Sequence, residues 1–196
     1  FEGSTDFKIL IEFAKVIEHK ILPYLEKANV EYTSDNVPAS ARKIFHGLRG
    51  SLKGELKGYA LFDRIDKKPD DQILPIKVLT RREIENYLKL PDVLIRWAVN
   101  FGENNLFVNY EASMTECIRE NTIPAMLKNP DDERWSELKV SDEYIPQIID
   151  CFFKKLEIRN ILAKGRYYEL VQFMKPSEID KEIKDVLDNM YELIFK

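Results

Sequence analysis

Residues 58–63 read GYALFD and residues 73–80 read ILPIKVLT, two short apolar runs separated by the polar turn KKPDDQ at 67–72. Apolar runs of this length, closed off by turn residues, are expected to be strands buried on both faces, the kind that build mostly parallel sheets. Upstream, residues 5–22 place Phe7, Leu10, Phe13, Ala14, Ile17 and Ile21 at helical spacing, with Thr5 read as the N-cap and Pro23 as the stop. A short strand is expected at 29–34, and a short helix at 38–50, which opens on Pro38 and closes on Gly50. Phe1 reads as the tail of a strand whose body lies further upstream. The order is that of an α/β layer.

From about residue 83 onward the spacing is helical throughout. The clearest stripe holds Ile179, Ile183, Val186, Leu187, Met190 and Ile194, behind a start at Pro176 and Ser177. The expected organisation is therefore an α/β core over 1–90 and a helical extension over 91–196 packed on it. No internal repeat or low-complexity segment is found.

The chain has 196 residues, 44% hydrophobic and 33% charged, with 7 glycines and 9 prolines. That composition supports a core of ordinary size and excludes bulk disorder. The formal net charge of −4 argues against a dedicated, autonomous DNA-binding module, which would be basic. It does not argue against a nuclease, because a metal site needs clustered carboxylates. Cys117 and Cys151 form no CxxC pair and read as buried free thiols, which fits a reducing cytoplasm. No apolar run approaches the roughly 20 residues that span a bilayer, so no membrane partner is expected. The opening Phe1-Glu2-Gly3, without Met, is read as part of a longer protein.

Three acidic groups follow the expected strands. Glu2-Gly3-Ser4-Thr5-Asp6 places two carboxylates four residues apart across a strand end and a helix start. Asp63-Arg64-Ile65-Asp66 closes GYALFD, in a loop made more acidic by Asp70 and Asp71. Arg81-Arg82-Glu83-Ile84-Glu85 follows the second strand, and the two-residue spacing of Glu83 and Glu85 leads us to expect one inward and one structural carboxylate. Each group alone is an ordinary polar turn or helix start. Their order places all three at one edge of a sheet, where open α/β folds bind ligands. Hard oxygen donors of this kind suit Mg²⁺ or Mn²⁺. His19 and His46 have no partner at metal-ligand spacing and are read as structural or surface residues. Phe152-Phe153 and Tyr167-Tyr168 are read as core, and most of the basic run Lys154, Lys155, Arg159, Lys164 and Arg166 as a solvated face.

The EGSTD start, the strand ending in DRID and the segment LTRREIENYL resemble a TOPRIM domain of the OLD (overcoming lysogenization defect) family. LKVSDEY at 138–144 and AKGRYYELVQF at 163–173 are similar to the helical C-terminal part of such proteins, so the likeness touches most of the chain. It implies a TOPRIM-like small, mostly parallel sheet flanked by helices, and cleavage of DNA phosphodiester bonds with one or two Mg²⁺ or Mn²⁺ ions. By position it implies Glu2, Asp6, Asp63, Asp66 and Glu85 as metal ligands. It implies Glu2, Asp63, Glu85 and Lys164 as catalytic residues, with Lys164 or an arginine of the Arg81-Arg82 pair stabilising charge on the phosphate. The family's aspartate pair is D-x-D, whereas this chain reads D-x-x-D. The implied partners are DNA and an ATPase domain of the same full-length chain, through which alone ATP enters; dimerisation through the apolar stripes stays open. A role in phage defence belongs to the same expectation. The alternative is a catalytically degenerate TOPRIM module that binds protein or nucleic acid.

Overall fold

The computed structural model describes residues 1–53, 55–66, 71–103 and 108–195. The N-terminal part is built from α1 (Ser4–Val16), α2 (Leu22–Leu25), α3 (Pro38–Ser51), β1 (Ala60–Phe62) and β2 (Ile76–Val78). The remainder is helical: α4 (Asp92–Phe101), α5 (Tyr110–Asn121), α6 (Pro124–Lys128), α7 (Arg134–Glu137), α8 (Ile145–Lys155) and α9 (Lys181–Phe195). Short 3-10 turns cover Ile84–Tyr87 and Pro176–Glu178, and a longer 3-10 segment covers Lys164–Phe173.

The two expected strands are present and parallel, in register Ala60↔Ile76 to Phe62↔Val78. They are three residues each and form a two-stranded sheet among the described residues. The α/β expectation thus holds in a small form, within a mostly helical chain. Residues 29–34 are not a strand of that sheet. Their main chain instead meets the N-terminus, where the Thr33 amide donates to the Phe1 carbonyl at 2.9 Å and the Ser34 amide to the Glu2 carbonyl at 3.0 Å.

The first helix is shorter than its apolar spacing suggests. It begins at Ser4 with Gly3 as the N-cap, not Thr5, and ends at Val16. Glu18 takes the left-handed conformation (φ 50°), and the His19 amide reaches back to the Ala14 carbonyl at 2.8 Å while the Glu18 amide bonds Lys15 at 3.0 Å. This is a Schellman closure made without glycine. Pro23 then sits in the first turn of α2 rather than stopping α1. In α9, Ile183, Val186, Leu187 and Met190 are buried as expected and Ile179 is buried just before it, but Ile194 is 41% exposed.

One hydrophobic cluster runs through both parts of the chain. It takes Phe7, Leu10 and Phe13 from α1, Leu61 from β1, Ile148 and Phe152 from α8, and Ile183 and Leu187 from α9. Helix α1 packs along the 3-10 segment Lys164–Phe173, so the first helix of the N-terminal part is covered by the C-terminal part. Trp97 and Phe101 stack on each other at 5.5 Å and meet Phe152 and Phe153 edge-on, both of which are core as expected. No described helix is long and apolar enough to cross a membrane.

The cysteines correct the sequence reading. Cys117 on α5 and Cys151 on α8 are joined as a disulfide, Cα to Cα 5.8 Å, and are not free thiols. The two helices pack on each other and bring together residues 34 apart in sequence, a proximity no local pattern announces. The inference of a reducing compartment from free thiols loses its basis.

Two results should follow. Thiol titration of denatured, unreduced protein should find no free cysteine, and reduction should lower stability in urea by about 2–4 kcal/mol, the usual effect of a loop of this length. Phe152→Ala should cost about 3–5 kcal/mol by the same assay, because the ring is fully buried among other aromatic side chains.

Candidate functional site

Both parallel strands end at the same edge of the sheet. Asp63 directly follows β1, and the turn carrying Glu83 and Glu85 follows β2. Main-chain bonds stitch these loops together: the Arg64 amide donates to the Arg82 carbonyl at 3.2 Å, and the Arg82 amide to the Ser136 carbonyl at 3.0 Å. Glu2 and Asp6 arrive at this edge from the start of α1. The Gly3 amide donates to Asp6 Oδ2 at 2.8 Å, which ties the first helical turn to the carboxylate. Phe1 and Glu2 are held by their main-chain bonds to 33–34.

These carboxylates lie close enough to act on one another's charge. Burial pushes the Asp63 carboxyl up to about 8, helped by the negative charges of Asp6, Glu83 and Glu2, while the Ile84 amide donates to it and pulls the other way. Glu85 is 4% exposed, and burial with the charges of Glu83, Asp6 and Asp63 pushes it up to about 8 as well. Glu2 is raised by burial and then by Asp6. Asp6 is raised by burial, against the opposing Gly3 hydrogen bond. Glu83 is raised by burial, although the Ser141 amide and hydroxyl donate to its two oxygens at 2.5 and 3.0 Å.

The structure therefore brings together Glu2, Asp6, Asp63 and Glu85 from the expected set and adds Glu83. Glu83 is held through both oxygens by Ser141, the structural carboxylate of the pair, while Glu85 lies among the other acids. Glu83 caps the 3-10 turn in extended conformation, its amide bonded to Asn86 Oδ1 at 2.8 Å, and both glutamates are buried. A 3-10 turn behind an extended cap does not separate residues two apart as an α-helix would. Asp66 is not part of this group. It is exposed and acts on the Arg64 guanidinium instead, and the extra residue of the D-x-x-D spacing carries it past Asp63. Asp70 lies outside the described residues.

Cations sit at the rim. Lys164 lowers the carboxyls of Glu2, Asp6 and Glu83 through its charge and is ion-paired with Asp142. Lys139, which the sequence reading passed over, pairs with the same Asp142 at 2.5 Å and also acts on Glu2. The signal for it was present: Lys139, Ser141 and Asp142 all lie in the LKVSDEY segment. Arg81 and Arg82 are committed elsewhere. Arg81 bonds the Asn86 carbonyl at 2.7 Å and Asp180 at 2.8 Å, and Arg82 bonds the Glu137 carbonyl at 3.0 Å. The histidines are peripheral, His19 against Asp188 and His46 against Asp71, each at 3.2 Å.

The donor set is all hard oxygen, in surplus over the nearby cations, which suits Mg²⁺ or Mn²⁺. Among the described residues, no three of these carboxylates bring oxygens within 4.8 Å of one another. That spacing fits an ion held by one or two carboxylates with water completing the shell, as Mg²⁺ prefers, rather than a closed protein cage. The Cys117, Glu120 and Cys151 group does lie within 4.8 Å, but its sulfurs are spent in the disulfide. No protein-family model, curated protein or solved structure matches the chain.

A pH effect follows with a definite sign. Asp63 and Glu85 have folded-state values of about 8, above their unfolded values of about 4. Their neutral forms contribute stability that is fully present below about pH 4 and is lost as pH rises through about 8. Metal-free protein should melt at a lower temperature at pH 8.5 than at pH 5.5, Mn²⁺ should restore the loss at pH 8.5, and the double variant Asp63→Asn, Glu85→Gln should flatten the profile.

Proposed function

We propose that this chain is a metal-dependent endonuclease module that hydrolyses DNA phosphodiester bonds, of the TOPRIM type found in OLD-family proteins and coupled there to an ATPase domain. The observation that carries this reading is the convergence of Glu2, Asp6, Asp63, Glu83 and Glu85 at one sheet edge, with burial raising every carboxyl and the neighbouring acids raising Glu2, Asp63 and Glu85 further. Carboxylates crowded beyond what local cations neutralise are relieved by a divalent cation, which displaces their protons.

In this reading one or two of Glu2, Asp6 and Asp63 would hold Mg²⁺ or Mn²⁺, with water completing the shell and Glu85 behind them. A bound divalent cation would supply electrostatic stabilisation of phosphate charge and activation of water. Glu83 is engaged with Ser141 and acts as a positioning residue for the 3-10 turn. Lys164, exposed at the rim and next to the acids, is placed to meet a phosphate oxygen, and its pairing with Asp142 holds it there between turnovers. Lys139 serves the same anion from the other side of Asp142. In this reading another domain would supply most of the DNA grip, because a net charge of −4 offers little to phosphates.

A degenerate TOPRIM module is the second reading. It is favoured by two particulars: no three of the described carboxylates approach within 4.8 Å, and Asp66 stands outside the group.

The test is conversion of supercoiled plasmid to nicked or linear DNA in Mg²⁺, Mn²⁺ or EDTA. Cleavage should need the metal and fall in Glu2→Ala and Asp63→Ala by more than about 100-fold, beyond what a change outside the ligand set costs. Lys164→Ala should lose about 100-fold, as removal of one charge-stabilising group does, and Asp66→Ala should cut normally. Undiminished cleavage by Glu2→Ala would overturn the site, and absence of both cleavage and Mn²⁺ binding would select the degenerate module.

A further inference from the structure

The Cys117–Cys151 disulfide has polar company that a cross-link alone does not need. Glu120 stands one turn on from Cys117, on the same face of α5. Its Oε2 lies 3.6 Å from Cys151 Sγ. A disulfide sulfur carries no proton, so this oxygen gains no hydrogen bond from the contact. The other oxygen, Oε1, is held at 3.0 Å by Lys155 Nζ, which also meets Glu116 at 3.0 Å. Lys155 comes from α8, one turn beyond Cys151. Both sulfurs and a Glu120 oxygen lie within 4.8 Å of one another, a closeness that no three of the sheet-edge carboxylates reach among the described residues.

Helices α5 and α8 do not depend on the disulfide for their approach. Both bury apolar residues in the same cluster. On one side of the cysteines, the Thr122 hydroxyl bonds that of Tyr144 and the Gln147 side-chain amide donates to Asn121 Oδ1, each at 2.9 Å. On the other side stands the Lys155 pairing with Glu116 and Glu120. With the sulfur bond broken, these contacts keep the two thiols facing each other on backbones whose Cα atoms are 5.8 Å apart. Two thiolates and one carboxylate suit Zn²⁺, a borderline-soft ion that takes both donor types in a tetrahedral shell. Three protein donors leave the fourth position to water.

We propose that Cys117, Cys151 and Glu120 form a redox-gated Zn²⁺ site, closed while the disulfide stands and able to take the ion once it is reduced. The helices are then cross-linked in both states, by sulfur in one and by metal in the other. The opening step is a two-electron reduction by a dithiol. Cys117 is fully buried and Cys151 half-buried, so a thiolate of the reductant attacks the Cys151 sulfur and Cys117 leaves as thiolate. The second thiol of the reductant then displaces Cys151, and the reductant departs as its own disulfide, its two protons passing to the cysteines. Zn²⁺ binding releases those two protons again. Lys155 keeps Glu120 Oε1, which leaves Oε2 to the ion. None of this rests on the nuclease reading, and it uses none of the sheet-edge carboxylates.

The test reduces the full chain with a phosphine, removes reductant and metal, and titrates Co²⁺ and then Zn²⁺ beside the untreated chain. The reduced chain should bind Co²⁺ with the strong visible absorption of a tetrahedral ion and a sulfur-to-cobalt charge-transfer band, and Zn²⁺ should erase both. The untreated chain should show neither, even where its carboxylates hold an ion. Zn²⁺ affinity of the reduced chain should fall about 100-fold or more in Cys151→Ser and about tenfold in Glu120→Gln. Where reduction unfolds the chain, Zn²⁺ should restore its circular dichroism. The proposal is overturned by a reduced chain without the charge-transfer band, or by equal Zn²⁺ affinity of reduced and untreated chains. It is overturned equally by affinity unchanged in either variant, or by a reduced chain that stays unfolded with Zn²⁺ present.

Discussion

Repulsion among carboxylates taken partly out of water is the constraint around which this molecule is arranged. Carboxylates do not gather in a low-dielectric setting unless something holds them there. Here the holding is done by the hydrophobic cluster. Helix α1 is pinned by Phe7, Leu10, Phe13 and Ala14, which carries Glu2 and Asp6 to the sheet edge. Strand β1, buried at all three positions, delivers Asp63, and the buried turn Ile84–Tyr87 delivers Glu85. Hydrogen bonds from Gly3, Ile84 and Ser141 offset part of the cost of burial, yet the carboxyls they reach remain raised. The residual strain on charge is what a divalent cation would relieve.

The helical part is bound up with this arrangement. Ser141 holds Glu83, the Trp135 and Leu138 carbonyls hold the Asn86 side chain, and Lys139 and Lys164 supply the positive rim. A division at residue 90 describes the sequence pattern well. It does not describe the chemistry, which draws on both sides of that line.

Much of this was legible in the sequence. Two apolar runs ending in polar turns gave the parallel strands, of which β1 is buried throughout and β2 only half-buried. The order of acids after strands marked the three acidic groups, and within them the resemblance to TOPRIM domains implied Glu2, Asp6, Asp63, Asp66 and Glu85, of which Asp66 stands apart. What stayed hidden has physical reasons. The spacing of Glu83 and Glu85 left open which faces inward, because it reads on α-helical geometry where the chain adopts an extended cap and a 3-10 turn. The end of α1 lacks glycine, so its left-handed residue, Glu18, carries no sequence mark. The Cys117–Cys151 bond and the commitment of Arg81 to Asp180 are long-range contacts, set by packing between elements far apart in the chain. Lys139 belongs to the same class: its approach to Glu2 spans most of the chain.

Calorimetric titration of Mn²⁺ into metal-free protein, at pH 6 and pH 8.5 and in parallel with Asp63→Asn, addresses the carboxylate cluster most directly. A divalent-cation site predicts saturable binding that tightens at the higher pH, as protons leave Asp63 and Glu85, and that weakens at least tenfold in the variant. Binding indifferent to pH and to Asp63→Asn, or no binding at either pH, would contradict it.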